Sequence, residues 1–141
     1  MGADIHGVWV QRREYGPESR AGETWDNIGT VEGWRNYAIF GLLAGVRGGP
    51  PLYEPRGYPE TRYFPWKGVR AGDHSEENGW CHSASYLYLG ELREVRHAYR
   101  ERVLREDGES AGKTWLDWLI ALMEAAEEPD KPCRAVFCFD N

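Results

Sequence analysis

A stretch rich in proline and glycine in the middle of the chain is the feature that most constrains its fold. Residues 47–80 hold five of the eight prolines in a sequence of 141 residues, together with several glycines. Proline lacks the backbone N–H that helices and central strands need, and glycine has no side chain to pack. We therefore expect a long irregular segment over residues 47–80, with regular elements only before and after it.

Two strands and a helix are predicted before this segment. Residues 3–13 alternate and are rich in β-forming side chains, and residues 24–31 have the composition of a returning strand. Strict alternation would place Trp9 on one face of the first strand and four side chains on the other, namely Asp4, His6, Val8 and Val10. Residues 34–46 carry apolar side chains at helical spacing and predict the first helix.

Two more helices and a last strand are predicted after the segment. A short extended piece follows Cys81, and residues 88–105 then show the spacing of a second helix. A helix from Thr114 to Glu127 begins with a capping-box pattern, in which an acid follows the N-cap threonine at the third position. Residues 134–139 have the length and composition of a final strand.

Together these elements predict an α+β fold. The sheet would be small, antiparallel or mixed, and built from residues 3–13, 24–31 and 134–139. About three helices would pack on one of its faces. A chain of 141 residues has the length of one domain, which we place at 1–141.

Charge and composition argue against several classes of partner. The 17 basic and 23 acidic side chains give a net charge of −6, whereas a protein that coats nucleic acid needs a basic face. No apolar run has the roughly 18 residues of a membrane span, and the N-terminus lacks a signal-peptide pattern. Three cysteines without C-x-x-C spacing are typical of a reducing compartment. We predict a cytoplasmic protein that binds neither a membrane nor long nucleic acid.

Asp4 and His6 form an Asp-x-His pair on the first predicted strand. Side chains two residues apart on one strand face lie ~7 Å apart at Cα and can share a metal or a phosphoryl group. Together with His82 they are the candidate catalytic residues of a hydrolase. The alternative is structural, an edge-strand acid beside a hydrogen-bonded histidine. No metal-binding spacing occurs, even with Asp73 and His74 included, and we predict neither a metal nor another cofactor.

Arginines predict an anion site around the first helix. Of the 17 basic residues 14 are arginine, whose forked guanidinium suits phosphate. Arg35, Asn36 and Tyr37 open the predicted helix, where backbone N–H groups favour anions. Arg47 follows the end of this helix, and Arg56 lies in the turn after it. The alternative for each arginine is a structural pairing with a carboxylate.

Four short segments in order carry a resemblance to a known family. They read MGADIH, GWRNYAIFGLLAGVRG, EPRGYP and HSASYLYLGEL. The chain thus resembles a family of small proteins encoded by bacteriophages and prophages, which begin MGxDIH and share GRNYxLFxxLAxVR, an EPRGLP-like turn and HSxSWL. The resemblance covers residues 1–93. It departs from the family pattern at Ala3, Trp34 and Tyr86, where Cys, Gly and Trp are usual.

The resemblance supplies candidate positions and a biological context. The polar residues that match the family motifs are Asp4, His6, Arg35, Asn36, Tyr37, Arg47, Glu54, Arg56, His82, Ser83 and Ser85. It implies a phage or prophage protein that acts inside a bacterial host. It implies no particular reaction.

Three functions fit these features. The one we favour is a sponge that sequesters a nucleotide immune signal, such as a cyclic dinucleotide or an ADP-ribose derivative, and so counters host defence. Arginines would hold its phosphates, aromatic rings would stack on its bases, and a homo-oligomer would place it between subunits. The second is a metal-assisted phosphodiesterase that acts on the same ligands with Asp4, His6 and His82. The third is an inhibitor that binds a host protein through the aromatic side chains of residues 50–80.

Overall fold

The strands and helices follow the predicted order along the chain. A computed structural model describes residues 2–20, 22–59 and 81–140. Its elements are β1 (Asp4–Tyr15), β2 (Thr24–Val31), α1 (Tyr37–Ala44), β3 (His82–Tyr88), α2 (Leu89–Asp107), α3 (Trp115–Ala126) and β4 (Cys133–Asp140). The strands form an antiparallel sheet in the order β2-β1-β4-β3. This arrangement confirms the predicted α+β class.

The three helices pack against one face of the sheet, here called the helix face. Successive side chains of a strand point to opposite faces, and every second side chain of β4 enters this layer. Those side chains share one buried core with residues of all three helices; they are Cys133, Ala135, Phe137 and Phe139. The prediction that the helices lie on one face is confirmed.

Local caps make α1 shorter than predicted. The side chain of Asn36 accepts the N–H of Ile39 at 3.2 Å, and its backbone is extended, so the helix begins at Tyr37 and not at residue 34. Gly45 adopts the left-handed conformation, with φ of 73°, and ends the helix. The predicted end at residue 46 is therefore wrong by two residues.

The predicted capping box begins α3. Thr114 accepts the N–H of Leu116 at 3.2 Å, and Asp117 accepts the N–H of Thr114 at 2.9 Å. These hydrogen bonds satisfy backbone donors that no helical carbonyl reaches. The first residue of the helix, Trp115, is buried in the core, where its Nε1 donates to the carbonyl of Trp34 at 3.0 Å.

A β-bulge in β1 changes which of its side chains face the helices. Two residues of β1 between His6 and Trp9 oppose the single residue Phe137 of β4. The extra residue shifts the alternation by one position, and Val8 and Val10 are buried on the helix face. The predicted grouping of both valines with His6 is wrong, because strict alternation assumes an uninterrupted ladder.

The opposite side of the sheet, here called the far face, has a different composition. Val136 and Cys138 are buried there with Tyr58, which comes from the irregular segment. Trp9 packs against the same small core. Arg134 lies on this face at 4% exposure. Arginine is rarely buried to this extent unless it is paired.

Within the described residues the sheet has four strands, one more than predicted. The residues after Cys81 predicted a short extended piece, yet β3 pairs with β4 and forms an edge of the sheet. Residues 47–59 are irregular as expected, and residues 60–80 of the predicted segment lie outside the described residues. Among the described residues, no helix is long and apolar enough to cross a membrane.

Candidate ligand site on the far face

Arg134 is buried on the far face without an acidic partner. In the described part of the chain no ion pair joins it to a carboxylate. Its Nε donates to Oε1 of Gln11 at 2.8 Å, and its Nη2 is buried with no hydrogen-bond partner among the described residues. Gln11 is itself buried and donates to Oδ1 of Asn27 at 2.9 Å. An unused N–H on a buried cation is a position that a bound anion would satisfy.

Aromatic rings surround this guanidinium. Cζ of Arg134 lies 3.8 Å from the ring centre of Trp25 and 5.5 Å from that of Tyr86. The Tyr88 ring lies 6.1 Å from the Tyr86 ring and 6.2 Å from the Trp25 ring. Tyr88 is 37% exposed, so the group reaches the surface. We call Arg134, Gln11, Trp25, Tyr86 and Tyr88 the arginine-aromatic cluster.

Burial also affects the charge of Arg134. Burial lowers the pKa of Arg134 to about 10, while hydrogen bonding to Tyr88 and the charge of Glu23 act in the opposite direction. The guanidinium remains protonated at neutral pH because this value lies well above 7. The cluster therefore holds a positive charge in a largely buried position, and a nearby anion would favour the charged form.

Asp4 and His6 lie at the other end of the far face and share a third residue, Asp140. Nε2 of His6 is 2.6 Å from Oδ2 of Asp140, and the N–H of Asp4 donates to Oδ1 at 3.1 Å. Arg35 donates to the Asp4 carboxylate at 2.6 and 3.1 Å. Its hydrogen bonds lower the pKa of Asp4. The sequence did not point to Asp140. Its carboxylate is therefore an addition to the predicted pair of Asp4 and His6 at this end of the far face.

The third predicted catalytic residue lies at the start of β3. Nδ1 of His82 is 2.9 Å from Oγ of Ser83, whose backbone adopts the left-handed conformation with φ of 53°. Within residues 2–20, 22–59 and 81–140, no three His, Cys, Asp or Glu side chains are grouped to hold a metal. Asp73 and His74 lie outside the described residues.

The predicted phosphate-binding arginines have separate surroundings. Nη1 of Arg56 donates to Glu91 at 2.7 Å and to the carbonyl of Tyr86 at 3.1 Å, and its Nη2 also contacts Glu91. Arg47 is exposed, as is Glu54. Arg56, like Arg35, directs its donors to a carboxylate of the protein, which is the structural alternative for these residues.

The remaining predicted ligand residues contribute to the local structure. Asn36 caps α1 and also donates to the hydroxyl of Tyr99 at 3.2 Å. The hydroxyl of Tyr37 accepts a backbone N–H near the start of β1 at 3.2 Å. Oγ of Ser85 accepts the N–H of Arg56 at 3.0 Å. These hydrogen bonds connect α1, the irregular segment and the sheet.

Sequence reasoning missed Arg134, Trp25 and Gln11. A signal was present for Arg134, because it is the one charged residue in the apolar run RAVFCF of the last strand. Alternation places it with Val136 and Cys138, which marks it as a buried cation. Trp25 and Gln11 give no such signal, since their contact with Arg134 depends on the order of the strands.

No protein-family model matches the chain, no curated protein matches it by sequence, and no solved structure matches its fold. The class of function is therefore inferred from the chemistry of the far face.

Proposed function

We propose that this protein binds a small nucleotide at the arginine-aromatic cluster and sequesters it. The observation that carries the proposal is the buried Nη2 of Arg134, which has no hydrogen-bond partner among the described residues. A phosphate oxygen would accept from this N–H and neutralise the guanidinium. The rings of Trp25, Tyr86 and Tyr88 offer flat surfaces for a base.

A ligand with both an anionic and a planar part suits the cluster better than either part alone. A simple anion would compensate the charge of Arg134 and leave the rings unused. A neutral aromatic compound would stack on the rings and leave a buried charge uncompensated, which is costly. Asn27 is exposed beside Gln11 and adds an amide that can hydrogen-bond the edge of a base.

The class of nucleotide and the effect of binding extend this proposal. The resemblance to bacteriophage and prophage proteins supports an immune signal of a bacterial host, such as a cyclic dinucleotide or an ADP-ribose derivative. A protein that holds this signal intact lowers its free concentration and so counters defence. The homo-oligomer stays a prediction. Light scattering of the purified protein, with and without nucleotide, tests it.

Depletion and release of nucleotides test the proposal. The protein is incubated with cyclic dinucleotides, ADP-ribose derivatives and mononucleotides, and the free pool is chromatographed before and after heat denaturation. We expect one compound to leave the free pool and to return unchanged on heating. Failure of every compound to be depleted would contradict the proposed function.

Two variants test whether the nucleotide binds at the arginine-aromatic cluster. Arg134→Met should abolish the depletion because it removes the charge and keeps a long side chain. Arg105→Met, in the exposed last turn of α2, is the matched control and should leave depletion unchanged. Equal depletion by the parent and by Arg134→Met would show that the ligand binds elsewhere.

A hydrolase is the second candidate function, and one contact favours it. His6 lies 2.6 Å from the Asp140 carboxylate, which suits a histidine that is oriented for proton transfer. On this hypothesis the heated sample contains a new species in place of the starting nucleotide. His6→Gln would then stop conversion without stopping depletion, since His6 and Arg134 lie at opposite ends of the far face.

A further inference from the structure

A tyrosine hydroxyl and two thiols meet on the far face near His6. Oη of Tyr58 lies 2.7 Å from Sγ of Cys81, and the thiol of Cys138 hydrogen-bonds to both groups. Cys81 comes directly before β3, and Cys138 lies on the adjacent β4. We call Tyr58, Cys81 and Cys138 the thiol cluster.

The two thiols differ in exposure and in acidity. Cys138 is fully buried, whereas Cys81 is partly exposed. The hydrogen bond with Cys138 lowers the pKa of Cys81 to about 7; Tyr58 and the charge of His6 act in the same direction, against burial and Asp140. The hydrogen bond with Cys81 and burial raise the pKa of Cys138. At neutral pH Cys81 is therefore partly a thiolate, the reactive form, while Cys138 keeps its proton.

We propose that Cys81 is a site of reversible oxidation by a hydroperoxide and that Cys138 resolves the oxidised product. The Cys81 sulfur attacks a peroxide oxygen, the O–O bond breaks, and a sulfenic acid forms as water or an alcohol leaves with the proton. The Cys138 sulfur then attacks the Cys81 sulfur, the S–O bond breaks, and a disulfide forms with loss of water. The two thiols lose two electrons in total, and the peroxide gains them.

The strand pairing brings the two sulfurs within reach of each other. His82 pairs with Phe139, so Cys81 and Cys138 lie on a diagonal across neighbouring strands. The two thiols interact across the neighbouring strands, and their sulfurs have to close to about 2.05 Å to form a bond. The pairing of β3 with β4 is irregular between His82 and Ser85, next to the cluster, so this movement falls where the ladder is interrupted.

The third cysteine of the chain provides a matched control. Cys133 is buried on the helix face, and burial raises its pKa to about 11. The reduced full chain is treated with one equivalent of hydrogen peroxide and analysed by mass spectrometry without reduction. We expect a disulfide between Cys81 and Cys138 in the parent and in Cys133→Ser. Cys138→Ser should give a sulfenic acid at Cys81, trapped with dimedone, and Cys81→Ser should give neither product.

The pH dependence of alkylation adds a measurement that needs no disulfide. The rate at which iodoacetamide modifies Cys81 in Cys133→Ser should rise with pH with a midpoint near 7, because the thiolate reacts and its pKa is about 7. Circular dichroism of each variant separates lost reactivity from lost structure. Oxidation of Cys133 as fast as Cys81, or a Cys81 that reacts no faster than in the unfolded chain, would overturn the inference. The test uses no nucleotide, so its outcome is independent of the proposed function.

Discussion

The two faces of the sheet are built from different kinds of side chain. The core of the helix face consists of apolar side chains and Cys133, drawn from β1, β3, β4 and all three helices. The far face buries Val136 and Cys138 beside Gln11 and Arg134, two polar residues that are at most 4% exposed. Removing apolar surface from water stabilises the fold, whereas an unpaired buried charge destabilises it.

On the proposed function, this difference separates the part of the molecule that stabilises the fold from the part that binds the ligand. The helix face holds the helices against the sheet through close packing. The far face carries a cation, aromatic rings and thiols, which the proposed nucleotide binding and the proposed oxidation of Cys81 would use. Natural proteins commonly accept such a cost at functional sites.

The largest effect is expected from a truncation in the helix-face core. Trp115→Ala should lower the free energy of unfolding by about 3–5 kcal/mol, because it leaves a cavity and removes the hydrogen bond to the Trp34 carbonyl. Urea denaturation measures this change. Trp118→Ala is the matched control in the same helix; its side chain is 58% exposed, and the loss should stay below about 1 kcal/mol. Similar losses in the two variants would contradict the assignment of the core.

A smaller effect is expected where the irregular segment joins α2. Burial raises the pKa of Glu91, but the hydrogen bonds from Arg56 and from the backbone N–H of Tyr88 outweigh it, and the pKa lies below its usual value. A carboxylate with a lowered pKa in the folded state stabilises the fold above its unfolded pKa, and this is lost as pH falls through the folded pKa. Glu91→Gln should therefore cost about 2 kcal/mol at neutral pH.

The pH dependence of that cost makes the test specific. The difference between the parent and Glu91→Gln should shrink as pH falls to about 3, where carboxylates become protonated. Urea denaturation at both pH values measures it. Glu101→Gln is the control, because Glu101 is exposed and its ion pair within the described residues is with His97, at 4.0 Å. A cost for Glu91→Gln that does not change with pH would exclude ion pairing as its cause.

A still smaller effect on stability is expected at the cap of α1. Asn36→Ala should lower the free energy of unfolding by about 1 kcal/mol, because Ile39 loses its hydrogen-bond acceptor. Asn36→Asp keeps an acceptor and should retain most of the stability. Neither variant should change nucleotide depletion, since the cap lies on the helix side of the sheet. Loss of depletion with unchanged stability would restore Asn36 as a ligand residue.

The smallest change in stability is expected on the far face. Arg134→Met should leave the free energy of unfolding within about 1 kcal/mol of the parent, or increase it, because a buried charge with no acidic partner among the described residues is replaced by an apolar side chain. Urea denaturation of this variant, next to its nucleotide depletion, compares the two properties directly. A loss as large as that of Trp115→Ala would show that Arg134 is structural.

Elements with local signals were predictable from the sequence. β2 has the predicted bounds of residues 24–31, and α3 begins at the predicted capping box of Thr114 and Asp117. In both cases the residues that define the element are close neighbours in the chain. The position of Asp4 and His6 on the same face of β1 also follows from local alternation.

Features that depend on distant residues were not predictable. The bulge in β1 is defined by its pairing with β4, and the pairing of Arg56 with Glu91 joins residues 35 positions apart. Trp25 lies on β2 and Arg134 on β4, with β1 between them. The two side chains meet because both occupy the far face and extend over β1. Periodicity shows that a side chain is buried or exposed, and it does not show which partner it meets.

The bulge in β1 makes the length of this strand as important as its composition. A regular ladder through the same residues, without the bulge, would turn Asp4 and His6 toward the helices and away from Asp140, and Ile5 would leave the core. A deletion of one residue between His6 and Trp9 removes the extra residue, so the ladder becomes regular and every preceding side chain keeps its face. A deletion between Asp4 and His6 has no extra residue to remove and would exchange the faces of the side chains before it. A one-residue deletion should therefore be tolerated better at the bulge than between Asp4 and His6.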